Sequence, residues 1–203
     1  MEEVLAIQLT TQPFEFEQFS DSDLNSKTTR LWLDDSEKVL DLGQAMLFKR
    51  FAVEEGVPIE YFFAVDVHDI TRYCVKVADV KASPLRAGCQ VGVWSDPEFA
   101  SPRRFAPHVF WEVLFKRHDI ISDSIQTNFG RRFWINRIGE AYSKNLCVYF
   151  LNLKGPKIAE VRRLRTIEDF NAMSTKVWGS EVKMRNIRLA ITKNPLHFSK
   201  EQK

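Results

Sequence analysis

Between Ile59 and Asp96 the chain carries three runs rich in β-branched and aromatic residues, IEYFFAVDV (59–67), RYCVKVADVKA (72–82) and CQVGVWSD (89–96), with only HDIT and SPLRAG between them. A parallel crossover needs about a dozen residues or more, so connections this short allow only antiparallel pairing. The expectation is a three-stranded meander around which the rest of the chain must pack.

Upstream, VLAIQLTT (Val4 to Thr11) is β-rich enough for a first strand, and TQPFEFEQFSDSDLNSKTT reads as a polar loop pinned by Phe14, Phe16 and Phe19. DDSEKVLDLGQAMLFKRFAVEEG then gathers Val39, Leu40, Leu42, Met46, Leu47, Phe51 and Ala52 at helical spacing, with acids at its start. Gly56 and Pro58 stop it, so the pattern predicts one long helix over 34–56, or two broken near Gly43.

Downstream, PHVFWEVLFKRH (107–118) reads as a helix with Pro107 in its first turn, DIIS (119–122) as a short buried strand, and TNFGRRFWINRIGEAYSK (127–144) as an amphipathic helix capped at Thr127 or Asn128. In that helix Phe129, Phe133, Trp134, Ile138 and Ala141 are expected in the core, and Arg131, Arg132 and Arg137 toward solvent or a partner. LCVYFLNL (146–153) is a strand, Thr166 and Asp169 stand in the T-x-x-D relation of a helix start, and MRNIRLAIT (184–192) is a last strand. Residues 194–203 read as a frayed tail. Apolar residues make up 44% of the 203 and are spread along the chain, which predicts one domain over 1–203.

Charge is not spread evenly. Residues 1–100 hold 9 basic and 18 acidic side chains and residues 101–203 hold 20 and 9, so the halves carry formal charges of −9 and +11 behind a net +2. A basic second half either meets phosphates or an acidic partner, or is matched by the acidic half of its own chain. No apolar run approaches the ~20 residues of a membrane helix, and MEEVLAIQL has acids where a secretion signal carries bases. The expectation is a soluble cytoplasmic protein with no membrane partner. Cys74, Cys89 and Cys147, odd in number and widely spaced, are expected to be reduced and packed.

The stretch NRIGEAYSK sets Asn136, Gly139, Ala141, Tyr142 and Lys144 at the spacing of an N-x-x-A-x-x-L-Y-x-K helix, with Gly139 in place of the Ala and Ala141 in place of the Leu. With the order of elements, this resembles the GNAT N-acyltransferase superfamily, including divergent members carried by phages and other mobile elements. The resemblance implies an α/β fold with a mixed central sheet flanked by helices, with parallel pairing confined to Ser101–Asn152. It further implies acyl transfer from acetyl-CoA or another acyl-CoA to an amine, with cofactor entry between the Val91 and Ile121 strands. Tyr142 would then be the acid that protonates the leaving thiolate, and Val91 and Val93 would orient the thioester through their backbone. Asn136 falls on the cofactor side of the motif, and Asp79 or Glu98 would be the amine base. The family's phosphate turn [RQ]-x-x-G-x-[GA] is replaced here by SDPEFASPRRFAPH, which has no glycine and two prolines beyond its Asp-Pro. Arg103 and Arg104 would therefore have to meet the phosphates as side-chain donors.

Two other chemistries compete. Asp79 and Lys81 form D-x-K on one strand face, with Asp66, His68 or Asp69 upstream, the residue types of a divalent-metal nuclease. Asp123, at the carboxyl end of the DIIS strand, stands where open α/β sheets bind ligands. The non-enzymatic alternative is a catalytically inactive protein of the same fold that binds nucleic acid or an acidic protein. Its basic residues would be Arg162, Arg163, Arg165, Arg185 and Arg188, with Lys157, Lys183 and Lys193 around them.

Overall fold

The computed structural model describes residues 33–54, 56–82, 85–96, 102–122, 128–154, 157–178 and 186–196. The expected first strand, Phe14, Phe16, Phe19, Glu98, Asp123, Arg185 and residues 197–203 lie outside these, as do the side chains of Lys81, Cys89, Val91, Arg103, Arg104 and Phe129. Among the described residues no helix is long and apolar enough to cross a membrane. The chain is a mixed α/β protein that divides into two units, residues 15–79 with 90–117, and residues 1–14, 80–89 and 118–203.

In the first unit, β1 (Glu37–Asp41), β2 (Ala45–Glu54), β3 (Val57–Asp66), β4 (Thr71–Ala82) and β5 (Leu85–Ser95) follow one another in sheet order, with residues 80–89 belonging to the second unit. The meander is present as β3, β4 and β5, and its first strand is paired on both sides (Phe63 with Phe48 of β2 and with Cys74 of β4, for instance). The helix expected over 34–56 is replaced by β1 and β2. Every residue of β2 pairs with β3, from Ala45 opposite Asp66 to Glu54 opposite Val57, so a helix here would leave the outer edge of an apolar strand uncovered. Local chemistry agrees with the strand: Gly43 and Gly56 have φ of +82° and +79°, values suited to the two tight turns. The Gly43 N–H also donates to the Asp41 carboxylate at 2.7 Å.

Alternation on β2 and β3 sorts the apolar side chains. Ile59, Tyr61, Phe63, Val65, Cys74 and Ala78 form one buried cluster, with Leu33, Phe48, Ala52 and Val57 packed against it. Phe48 and Phe63, directly opposed, stack at 5.8 Å between centroids. The helix expected to begin at Pro107 begins earlier. α1 (Pro102–His108) has Pro102 in its first position and runs on through a π-helical turn, Val109–Leu114, into a last α turn, Phe115–Arg117. Pro107 has no N–H to give to the preceding turn, and the wider turn follows it immediately. Val109, Phe110, Val113, Leu114 and Phe115 are buried, and the Arg117 guanidinium lies over the Phe62 ring.

The second unit contains β6 (Asp119–Ser122), α2 (Asn128–Ser143), β7 (Cys147–Lys154), β8 (Lys157–Leu164), α3 (Ile167–Val177) and β9 (Ile187–Thr192), with strand order β6-β9-β7-β8. Both β6 and β7 pair antiparallel with β9, so they run the same way but are not neighbours. That corrects the expectation of parallel pairing within Ser101–Asn152: β9, from later in the chain, inserts between them. α2 ends in a left-handed cap at Asn145 (φ +56°), where Asn145 N–H donates to Tyr142 O at 3.1 Å and Leu146 N–H to Ala141 O at 2.9 Å. α3 opens with the expected cap: Thr166 Oγ1 accepts from Asp169 N–H while the Asp169 carboxylate accepts from Thr166 N–H. Arg131 joins the two helices, donating to the Trp178 carbonyl at 2.7 Å with its guanidinium over the Trp178 ring. Trp134, Ile138 and Ala141 of α2 are buried, as expected.

Candidate functional site

Strand β8, last in the order, was read in the sequence only as a basic run. Residues 157–165 carry Lys157, Arg162, Arg163 and Arg165 against the single acid Glu160, and Arg162, Arg163 and Arg165 are exposed. Register divides them. Arg163 is opposite Tyr149 on β7, and Arg188 on β9 is opposite Leu151, so both stand on one face of the sheet. Arg162 is opposite Phe150 and points to the other face, where it donates to Met173 Sδ of α3 at 3.6 Å. Of the five arginines grouped by the sequence, Arg163 and Arg188 thus share one sheet face, Arg162 falls on the helix side, Arg165 follows the end of β8 and Arg185 is outside the described residues. The partly buried Arg188 also donates to its neighbouring carbonyl, Ile187 O, at 2.9 Å.

Tyr142 is half-buried near the end of α2, and its hydroxyl donates to Leu164 O of β8 at 3.4 Å. Burial, with the Asp169 and Glu168 carboxylates nearby, pushes its phenol up to about 12. It therefore stands beside β8, at the opposite end of the strand order from β6. Asn136 is exposed on α2, whereas Arg137, expected toward solvent, is buried: its Nη2 donates to Glu140 at 2.6 Å and its guanidinium lies over the Phe133 ring. Burial lowers the Arg137 pKa against the pull of Glu140.

In the first unit the expected acids are far apart. Asp66 is buried at the β3–β4 turn, accepting from His68 N–H at 2.8 Å, from Ile70 N–H at 3.0 Å and from Arg72 Nε at 2.8 Å. Burial alone would raise its carboxyl, but these donors outweigh burial and hold it below the usual range. Arg72 bridges onward to Asp96, and the hydrogen bonds to Asp96 and Asp66 raise its pKa against the effect of burial. Asp79, exposed, is eight residues along β4 from Thr71, roughly 26 Å at ~3.3 Å per residue, so it cannot share a metal with Asp66, His68 or Asp69. Among the described residues no group of three or more His, Cys, Asp or Glu is arranged to hold a metal. Val93, expected to orient a thioester, is 49% exposed on β5.

One cluster was invisible in the sequence because it depends on β2 being a strand. Glu54 accepts from the Tyr61 hydroxyl and forms an ion pair with Lys76, whose Nζ also lies 5.7 Å from the Tyr61 ring centre. Burial would raise Glu54, but the bonds from Lys76 and Tyr61 hold its carboxyl down. Burial and the carboxylate together push the Tyr61 phenol up. The arrangement neutralises a lysine that is 7% exposed and closes a core, which is a structural role. Comparison of the chain with family models, curated proteins and solved structures gives no match.

Proposed function

We propose that this chain is a binding protein built on an acyltransferase-like arrangement, and that it engages the phosphate backbone of nucleic acid through the basic edge at β8. The observation that carries this reading is the exposure of Arg163 and Arg165 beside an edge strand, with Arg188 on the same sheet face as Arg163. Guanidinium forks match phosphate oxygens in pairs. The hydroxyl of Tyr142, the expected acid, is spent on a backbone carbonyl, and burial opposes its ionisation.

The test is fluorescence anisotropy of labelled single-stranded and duplex oligonucleotides at low salt, with Arg163→Glu/Arg165→Glu beside the parent chain. Binding weakened about tenfold or more by the charge reversal supports the reading. No binding, or binding indifferent to the reversal, overturns it, and stronger competition by polyglutamate than by unlabelled oligonucleotide points to an acidic protein instead.

A second reading, acyl transfer from acyl-CoA to an amine, is favoured by one observation: β6 and β7 run the same way and are joined by α2. Calorimetric titration with acetyl-CoA, repeated on Arg103→Ala/Arg104→Ala, checks it. Cofactor binding lost in that variant, with amine acylation lost in Tyr142→Phe, would replace the first reading with this one.

A further inference from the structure

We propose that a second copy of this chain docks along the outer edge of β2, pairing the segment Arg50–Glu54 antiparallel with itself. β1 covers that edge only between Met46 and Lys49, where Glu37 pairs with Lys49 and Asp41 with Met46. Beyond Lys49, no strand among the described residues pairs with the side of β2 turned away from β3. The same segment exposes two large apolar side chains, Phe51 at 60% and Val53 at 62%, on one face of the strand. An apolar edge with no strand partner among the described residues is a template for another strand.

The sequence of the segment selects the occupant. Arg-Phe-Ala-Val-Glu read against its own reverse sets Arg50 opposite the second copy's Glu54 and Phe51 opposite the second copy's Val53, with Ala52 on the two-fold axis. Both ends of the pairing then join opposite charges, and the middle joins four apolar side chains into one strip. Hydrogen-bond direction agrees. Glu54 and Val57 close a two-residue hairpin, and such a closing pair bonds inward across the ladder. Alternation from there turns the peptide groups of Phe51 and Val53 outward, where each can exchange two bonds with its counterpart in this register. A register displaced by one residue would face outward groups with inward ones and lose them. Glu54 is held in position by Tyr61 and Lys76, while its side chain remains 38% exposed.

Sedimentation equilibrium of the full chain over a wide concentration range reads the association directly. The expected result is an average mass rising from 23.7 kDa toward twice that value, with association weakened about tenfold or more in Phe51→Lys/Val53→Lys. Both positions are exposed, so the fold is expected to survive, and circular dichroism checks it. An Ala52→Cys chain reports register separately. Opposed residues of a non-bonded antiparallel pair stand at about 4.5 Å between Cα atoms, so oxidation should link this variant to itself, while a Phe51→Cys chain, opposite Val53, should link no more than the parent. A monomer at every concentration overturns the proposal, as does a dimer indifferent to the lysines or an Ala52→Cys chain that links no faster than Phe51→Cys.

Discussion

The carboxylate of Glu54 does more for the first unit than its place near a hairpin suggests, because it forms an ion pair with Lys76, which is only 7% exposed. Removing one member of a fully buried pair costs about 3–5 kcal/mol. The carboxylate is more than a third exposed, so Glu54→Ala is expected to cost about 2 kcal/mol in urea unfolding. The pH dependence has a definite sign. Glu54 and Asp66 titrate below their ordinary values of 4.5 and 3.8 in the folded chain. Their stabilisation is therefore fully present above those values and is lost as pH falls through the lower folded ones. Urea midpoints are expected to hold from neutral pH to about 5 and then drop, with a shallower drop in Glu54→Gln.

At the scale of elements, α2 carries a glycine whose replacement follows a local rule. Gly139 is exposed, its φ is not positive, and a Cβ there would meet nothing within 4 Å. Gly139→Ala is expected to stabilise the chain by about 0.5–1 kcal/mol, measured as a raised urea midpoint. The start of α3 was legible because its cap is written in residues three apart, Thr166 and Asp169. β2 was not, because its seven apolar residues satisfy a helical period about as well as a strand's, and only its ten pairings with β3 decide between them. β8 was also missed: its run of charges obscures the alternation that marks a half-buried strand.

At the scale of the whole molecule, the charge difference between the halves, −9 and +11, predicts that association with a polyanion is strongly salt-dependent. Each phosphate neutralised contributes roughly 0.7–0.9 to the slope of log affinity against log salt. Three contacts by Arg163, Arg165 and Arg188 give a slope near −2 to −3 on that scale, and anisotropy titrations at several salt concentrations would measure it. A slope near zero would remove the electrostatic basis of the binding reading. Charge by itself located the basic half but not its exposed side. That required the β7–β8 and β7–β9 registers, which divide Arg162 from Arg163 and put Arg188 on the same face as the latter.

What the sequence determined by itself is the part of the molecule held by neighbours in the chain. The antiparallel meander follows from turns too short for a crossover, α2 from its period and α3 from its capping pair, and β6 from the short run DIIS, whose bounds match the structure. Tertiary structure alone decided what depends on residues far apart: β2 as a strand against β3, β9 inserted between β6 and β7, Arg137 buried on α2, and Tyr142 turned to Leu164. The physical reason is common to them. A backbone edge or a buried charge must find partners wherever the chain brings them, and that demand outweighs the few tenths of a kcal/mol per residue by which local propensity prefers one state.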